Sequence, residues 1–217
     1  MKSLSRALAS LALVALVASS AHADTLGPSK RDTRGFISHL SKGIFEIGVD
    51  SLLVWTSRTT TINDVETSSS ELTLSLGPTF RYFVIDNLAV SLNINALVTR
   101  TGAGDDALTT YGVLGLVDVD YYIPLGRGMF FKPGVGGGGF WKTRKEDVGA
   151  SLQKSFNTVG GAFRVQVGFV YYTSPKFNLR ANLDFLGQFG TTTSDGEPDQ
   201  SLFQMDLGWN VGAAYVF

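Results

Sequence analysis

The chain has 217 residues, of which 44% are hydrophobic and 17% charged, and it contains 25 glycines and no cysteine. The apolar fraction is that of a folded protein, and the absence of cysteine excludes disulfides, thiolate metal sites and a cysteine nucleophile. The formal net charge of −1 gives no reason to expect nucleic acid as a partner.

Residues 1–23 have the three parts of a secretory signal peptide. A basic start is followed by an apolar run at residues 7–18 and by the small-residue stretch 19–23. The apolar run of about 12 residues is too short to cross about 30 Å of hydrocarbon as a helix, so a transmembrane anchor is the weaker alternative. The sequence therefore predicts export, with cleavage after Ala23.

Residues 24–42 are polar and predict a flexible leader on the periplasmic side, which contains His39, the only histidine left after cleavage. From Gly43 on, apolar and polar residues alternate with a period of two, which is typical of strands with one apolar and one polar face. Eight such runs lie at residues 45–55, 72–82, 88–99, 111–123, 129–143, 159–171, 177–189 and 203–217.

Each run is at least as long as the ~9–11 residues that a tilted transmembrane strand needs. Short turns between them fall at residues 85–87, 124–128 and 173–176. Longer polar loops fall at residues 57–70, 100–109, 144–155 and 191–201. Short periplasmic turns, longer extracellular loops and an even strand number are typical of outer-membrane barrels. We predict an all-β fold, an eight-stranded antiparallel up-and-down transmembrane β-barrel over residues 43–217.

The charges lie on one face of the runs, and the other face is nearly free of charge. A soluble barrel such as a lipocalin would have to place the apolar face inside, where Trp55, Trp141 and Trp209 would help to overfill an eight-stranded lumen. With the apolar face on lipid, acids and bases can pair inside. The sequence thus predicts a polar, occluded lumen with a structural network of Glu46, Asp50, Arg81, Asp118, Asp120, Lys132, Arg164, Arg180, Asp184 and Asp206.

Aromatic residues gather at both ends of the runs, which predicts two girdles around an aliphatic band. They include Phe83, Tyr122, Phe130 and Tyr172 at the ends nearest the short turns, and Phe140 nearer the long loops. The last run has outward residues at every second position from Phe203 to Phe217, and it resembles the C-terminal strand that the outer-membrane assembly machinery recognises. In these features the chain from Gly43 to Phe217 resembles the small eight-stranded barrels of the OmpX and OmpA transmembrane-domain family. The resemblance implies an outer-membrane location in a Gram-negative bacterium. The partners it implies are membrane lipid, lipopolysaccharide and the assembly machinery, beside an unidentified extracellular partner.

Two prolines fit a closed barrel poorly, because a proline lacks the N–H that a ladder needs. Pro78 and Pro133 lie inside the second and fifth runs. Either local bulges accommodate them or the register assumed here is in error.

Three motifs have a chemical and a structural interpretation, and the structural one is favoured in each. The glycines at residues 134–139 lack the strand-to-helix context of a phosphate loop. Asp118 and Asp120 have the chemical interpretation of an acid/base pair and the structural one of membership in the lumen network. The acidic loop residues have the chemical interpretation of divalent-cation ligands and the structural one of solvated surface. Their spacing matches no calcium loop, which favours the solvated surface.

These patterns predict no catalytic, cofactor or metal site. The leading hypothesis is a non-enzymatic barrel with a structural or surface-interaction role through four extracellular loops. A narrow porin-like channel for ions or small solutes is the alternative. A lipid-modifying enzyme is less favoured, because His39 precedes the first strand.

Overall fold

The protein is described by a computed structural model that covers residues 37–62, 65–101, 108–147, 153–194 and 199–217. The predicted signal peptide and the first part of the predicted leader lie outside the described residues, so the cleavage site and the start of the leader stay predictions. Within the described ranges, no helix is long and apolar enough to cross a membrane.

The described chain is almost entirely strand, and neighbouring strands run antiparallel. β1 pairs with both β2 and β9, and β4 pairs with β6, so the sheet closes into a ring. The strands are β1 (Phe45–Ile62), β2 (Val65–Ile85), β3 (Leu88–Thr101), β4 (Leu108–Tyr121), β5 (Ile123–Gly126), β6 (Met129–Asp147), β7 (Gln153–Ser174), β8 (Phe177–Ser194) and β9 (Gln200–Val216).

β5 is the end of β4 after one interruption, at Tyr122. β4 pairs Asp120 with Gly134 of β6, and β5 pairs Ile123 with Phe131 in the same register. The ring therefore has eight strands, one of them interrupted. The predicted eight-stranded antiparallel up-and-down barrel is confirmed.

One end of the barrel, the turn end, carries tight two-residue turns. They lie at residues 86–87, 127–128 and 175–176. Arg127 and Gly128 both have positive φ values, of 55° and 76°, as a type I′ turn requires, and Asn87 has a φ of 60° at the second position of its turn. Phe217 lies at this end too, because its N–H donates to the carbonyl of Phe45, the first residue of β1.

At the opposite end, the loop end, the strands are longer than the sequence predicted. β1 continues to Ile62 and β2 begins at Val65, so most of the predicted loop 57–70 is a hairpin. β6 and β7 likewise extend to Asp147 and from Gln153. These segments are rich in Ser and Thr, and a strand with water on its outer face need not alternate in hydropathy.

The long strands carry the barrel beyond the thickness of a membrane. β1 has 18 residues, which at about 3.3 Å each is about 60 Å of strand. With a tilt of about 40° the strand spans about 45 Å along the barrel axis, against an apolar belt of about 25 Å. The loop end therefore forms a rim above the belt.

Neither proline needs a bulge. The β1–β2 register is continuous through Pro78, and β2–β3 pairing passes from Leu76 opposite Ala96 to Thr79 opposite Asn93 without a shift. Pro133 keeps its register with β7 and lies beside the interruption between β4 and β5. Each proline thus faces a gap in one ladder, where no N–H is required.

Two glycines on the paired strands β4 and β6 give a matched pair of substitutions. A Cβ on Gly138 would lie 1.9 Å from the carbonyl oxygen of Gly115, whereas a Cβ on Gly115 would have nothing within 4 Å. We expect Gly138→Ala to lower the free energy of unfolding by about 1–3 kcal/mol through overpacking, and Gly115→Ala to change it by less than about 0.5 kcal/mol. Urea unfolding in detergent micelles measures both. Equal effects of the two substitutions would contradict the strand contact.

Candidate functional site

The outward face of the barrel is apolar over its middle. Val117 of β4 is 52% exposed and Leu207 of β9 is 59% exposed, and both belong to strands that alternate between exposed apolar and buried polar residues. An apolar surface that encircles the molecule is far larger than the patches that soluble monomers expose. Such a surface has the chemistry of a lipid-facing belt. Because the polar and charged side chains lie on the opposite, inward face, the candidate functional site is the lumen.

The lumen is filled in layers. The layer at the turn end, here called the turn-end plug, is apolar and includes the last described residues before β1. It consists of Ile37, Leu40, Ile44, Phe83, Ala89, Tyr122, Phe130, Val170, Tyr172 and Val216. Its aromatic rings contact one another in sequence, with centroid distances of 5.0 Å for Phe83–Tyr122, 6.2 Å for Tyr122–Phe130 and 5.6 Å for Phe130–Tyr172.

The segment before β1 is bound to the first tight turn. The Leu40 N–H donates to Asn87 Oδ1 (3.0 Å), and the Asn87 N–H donates to the Leu40 carbonyl (2.8 Å). His39 Nε2 lies 2.9 Å from Asp86 Oδ2. The end of the predicted leader thus closes the turn-end mouth, while Leu40 itself is buried in the plug.

The plug corrects part of the predicted aromatic girdles. The girdle at the turn end was expected to include Phe83, Tyr122, Phe130 and Tyr172, but these side chains are buried in the lumen. Phe140, expected in the other girdle, is also buried inside. Successive side chains of a strand point to opposite faces of the sheet, so each residue's position in the strand decides whether it points inward or outward. All five aromatic residues lie on the same face as the inward polar residues of their strands.

Above the plug, Glu46 and Arg81 form a buried ion pair of 2.9 Å. Glu46 also accepts hydrogen bonds from the Tyr172 hydroxyl and, at 2.9 Å, from the Asn178 amide. The carboxylate is therefore bound by one cation and two neutral donors. This set of partners satisfies the charge away from water.

Asp120 is the centre of the next group. It lies 3.5 Å from Arg81 Nε and 3.4 Å from Lys132 Nζ, and it accepts a hydrogen bond of 2.8 Å from Gln166 Nε2. Lys132 also donates to Gln166 Oε1 at 3.0 Å. One carboxylate is thus shared by two cations from β2 and β6.

Asp118 forms the third group, two positions along the same face of β4. Both Nε and Nη2 of Arg164 donate to it, and the Asn93 amide donates to it as well. Arg164 Nη1 lies 3.5 Å from Asp184. Asp118 and Asp120 therefore have separate basic partners, which leaves neither poised as the proton acceptor of a substrate.

The remaining predicted members lie at the edges of this charged layer. Asp50 lies 3.5 Å from Arg180 and accepts a hydrogen bond of 2.7 Å from Thr79. Asp206 accepts one of 2.7 Å from Gln204. All ten residues of the predicted lumen network are buried, none more than 6% exposed: Glu46, Asp50, Arg81, Asp118, Asp120, Lys132, Arg164, Arg180, Asp184 and Asp206.

A second apolar layer, the leucine layer, lies inside the barrel on the loop-end side of the charged layer. It comprises Leu52, Leu97, Leu114, Leu116, Phe140, Ala162 and Leu186, with Leu202 packed against it. In the sequence, Leu52, Leu114 and Leu116 interrupt the polar face of their runs. Those interruptions were the available signal for this layer. The charged layer is thus enclosed between two apolar ones.

Above the leucine layer, a cavity of about 220 Å³ opens at the loop end. Two cations of β6, Lys142 and Arg144, line it together with the carboxylate of Glu71. Lys142 Nζ lies 5.2 Å from the centre of the Phe140 ring, and the Arg144 guanidinium lies 4.8 Å from that of Phe156. We call this space the loop-end cavity.

Sequence comparison finds no matching protein family and no matching curated protein. Structure comparison does find matches. The chain is similar to the outer membrane protein OprG of Pseudomonas aeruginosa, with a TM-score of 0.51 and 16% identity over 82% of this chain and 97% of that one. The chain has the fold of a small outer-membrane β-barrel. Further matches are E. coli outer membrane protein W (TM-score 0.46, 18% identity, 82% and 99% covered) and the N-terminal barrel domain of P. aeruginosa OprF (0.48, 15%, 82% and 100%).

Within this outer-membrane barrel fold, the described residues bring together no group of three or more His, Asp or Glu side chains that could hold a metal ion. His39 is held at the turn end by Asp86 and Asn87, where its Nδ1 lies 3.2 Å from the Asn87 amide. The loop-end cavity lies beyond the plug, the charged layer and the leucine layer. The one histidine of the predicted mature chain is therefore remote from the cavity.

Proposed function

We propose that the chain is a non-enzymatic outer-membrane barrel with an occluded lumen, oriented with its turn end in the periplasm and its loop end outside. The observation that carries the proposal is the layered filling. An ion crossing the lumen would have to pass the turn-end plug, a charged layer whose groups bind one another, and the leucine layer. Each apolar layer offers no partner to replace the ion's water.

A structural or surface-interaction role follows from this filling. The rim of long strands rises above the belt at the loop end, and the loop-end cavity opens there. Lipid and lipopolysaccharide are the partners we propose for the belt, and the assembly machinery for β9 with its terminal Phe217. Interaction with other molecules is then a property of the rim and the cavity.

Planar-bilayer recording tests the occlusion. We expect the purified mature chain to insert without discrete conductance steps, while a large porin in the same apparatus gives them. Discrete steps from the pure protein would overturn the occluded lumen and favour the second candidate, a narrow pore for ions or small solutes. That candidate is supported by the polar side chains of the charged layer.

An activity on lipid is the third candidate and is opposed by the position of His39. Incubation with labelled phospholipid or lipopolysaccharide measures it directly. Turnover that is lost on substitution of a single loop-end serine would overturn the non-enzymatic proposal.

A further inference from the structure

The barrel wall is closed along only part of the β1–β9 pair. The two strands pair up to Val54 opposite Gly208, and their ladder ends there. β1 continues beyond this point and stays paired with β2 to its last residue, while β9 is paired with β8 from its first residue. Two strand segments, residues 55–62 and 200–207, therefore run toward the loop end without pairing with each other. We call the gap between them the open seam.

The two segments have the same length and would be in register. Continuing the β1–β9 ladder would place Trp55 opposite Leu207 and, at its end, Ile62 opposite Gln200. These last two residues are also where β1 ends and β9 begins. Elsewhere in the described strands, neighbours show no gap of comparable length. The open seam is thus a separation of two matched edges and not the end of a short strand.

The backbone groups that face the open seam follow from the alternation of a strand. The N–H and C=O of one residue point to one neighbouring strand, and those of the next residue point to the other. Phe217 donates its N–H to the carbonyl of Phe45, so odd-numbered residues of β1 and β9 face each other. The carbonyl of Ile44, just before β1, accepts from Phe83 of β2. The residues whose backbone groups face the open seam are Trp55, Ser57, Thr59, Thr61, Ser201, Phe203, Met205 and Leu207.

The edges of the open seam lack the features that protect strand edges. Natural edge strands carry lysine, proline or a bulge that prevents pairing with another chain. Residues 55–62 contain no lysine or proline, and their register with β2 has no bulge. Threonine occupies four of these eight positions, and β-branched residues favour strands. The edge of β1 is therefore suited to pair with an added strand.

The lower part of the open seam lies in the apolar belt. Met205 and Leu207 of β9 are 51% and 59% exposed and point outward. Lipid chains offer no hydrogen-bond partner to a backbone group, so an unpaired strand edge is costly at this depth. A suitable occupant has to supply N–H and C=O groups at the spacing of a strand. An extended polypeptide supplies both.

Length and charge define this occupant further. Eight residues of strand at about 3.3 Å each are about 26 Å long. The two edges carry one charged residue each, Arg58 on β1 and Asp206 on β9, of opposite sign. Neither edge therefore favours a strongly acidic or basic partner. Recognition rests on the backbone, as is usual when a peptide adds a strand to a sheet.

We propose that the open seam is a strand-addition site, which binds an extended, uncharged polypeptide segment of about eight residues to the free edge of β1. The inference rests on the proposed function, which places the loop end outside the cell. It names the class of partner for the surface-interaction role.

Cysteine pairs test the open seam itself, because the chain contains no cysteine. Ser57→Cys/Met205→Cys places two thiols at positions that a complete ladder would make opposite. The control Leu53→Cys/Trp209→Cys uses a pair that the ladder contains. A disulfide needs Cα atoms within about 7 Å. We expect the control to form a disulfide on oxidation in detergent micelles and the seam pair to remain reduced. Equal oxidation of the two pairs would overturn the open seam.

Fluorescence anisotropy tests binding, with the full mature chain in micelles and a labelled, uncharged threonine–valine octapeptide as the probe. We expect saturable binding, and at least about ten-fold weaker binding of the same peptide with alternate nitrogens methylated. Thr59→Pro removes an N–H that faces the open seam and none that faces β2. It should weaken binding at least about ten-fold, whereas the matched control Thr59→Ala should leave binding unchanged.

The outcomes separate this inference from the proposed function. No saturable binding, equal binding of the methylated peptide, or equal losses in the two Thr59 variants would overturn the strand-addition site. Circular dichroism shows whether both variants fold, and the methylated peptide needs no variant. A dimer of the chain that excludes the peptide would make a second copy the occupant and overturn the proposal. Discrete conductance with intact peptide binding would overturn the occluded lumen and leave the site standing.

Discussion

Replacing Asp120 by leucine should lower the free energy of unfolding by about 3–5 kcal/mol. Asp120 is fully buried and holds Arg81 and Lys132 at 3.5 and 3.4 Å. Without the carboxylate, the two cations remain in the lumen with an incomplete set of partners, and a buried charge without its counter-ion is costly. Urea unfolding of the purified protein in detergent micelles, followed by tryptophan fluorescence, measures the change.

Two further variants identify the cause. Asp199→Leu removes an exposed carboxylate at the loop end and should change stability by less than about 0.5 kcal/mol. Combining Asp120→Asn with Lys132→Met removes one acid and one base together, and it should cost less than Asp120→Leu, because fewer charges are left unpaired. An unchanged unfolding midpoint for Asp120→Leu would refute a structural role for the network.

A lysine in place of Val117 should lower the stability of the membrane-inserted barrel by about 2–4 kcal/mol. Val117 is 52% exposed on the outward face of β4, midway between the aromatic residues of the two ends. In a bilayer that position lies near the centre of the hydrocarbon, where an ammonium has no water. Reversible unfolding from phospholipid vesicles measures the cost.

The same substitution at Val159 is the matched control. Val159 faces outward on β7, opposite Trp141 of β6 and so at the level of the loop-end aromatics. Near the interface the lysine reaches water, and the expected cost is about 0–1 kcal/mol. A soluble barrel would tolerate both lysines equally, so equal effects in vesicles would count against the lipid-facing belt.

The alternation of the sequence is enough to predict the barrel, because one period fixes both the strands and the side that each residue faces. It also assigns all ten charged residues to the inside. It fails at the loop end, where strands such as β1 leave the membrane and lose the alternation while they keep their ladder. The hydropathy pattern of a segment indicates whether its side chains contact lipid, water or the protein interior. It indicates only indirectly whether the segment is a strand.

The partners within the lumen depend on geometry that a single strand does not contain. Asp120 meets Gln166 of β7 and Arg81 of β2, although neither strand is adjacent to β4. Such contacts are set by the width of the barrel and the stagger of its strands. The plug segment was missed for a related reason. Ile37 and Leu40 lie in the stretch that was interpreted as a polar leader, and together with Ile44 they do not follow the period of two that marks the strands.

The position of that segment has a consequence for biogenesis. Ile37, Leu40 and Ile44 precede β1, yet the plug that buries them draws on β2, β3, β6, β7 and β9. The complete pocket for Leu40 therefore exists only after β9 has joined β1. These residues precede every strand in the chain, yet we expect them to reach their native environment last. An environment-sensitive label at residue 40 would report when the ring is sealed.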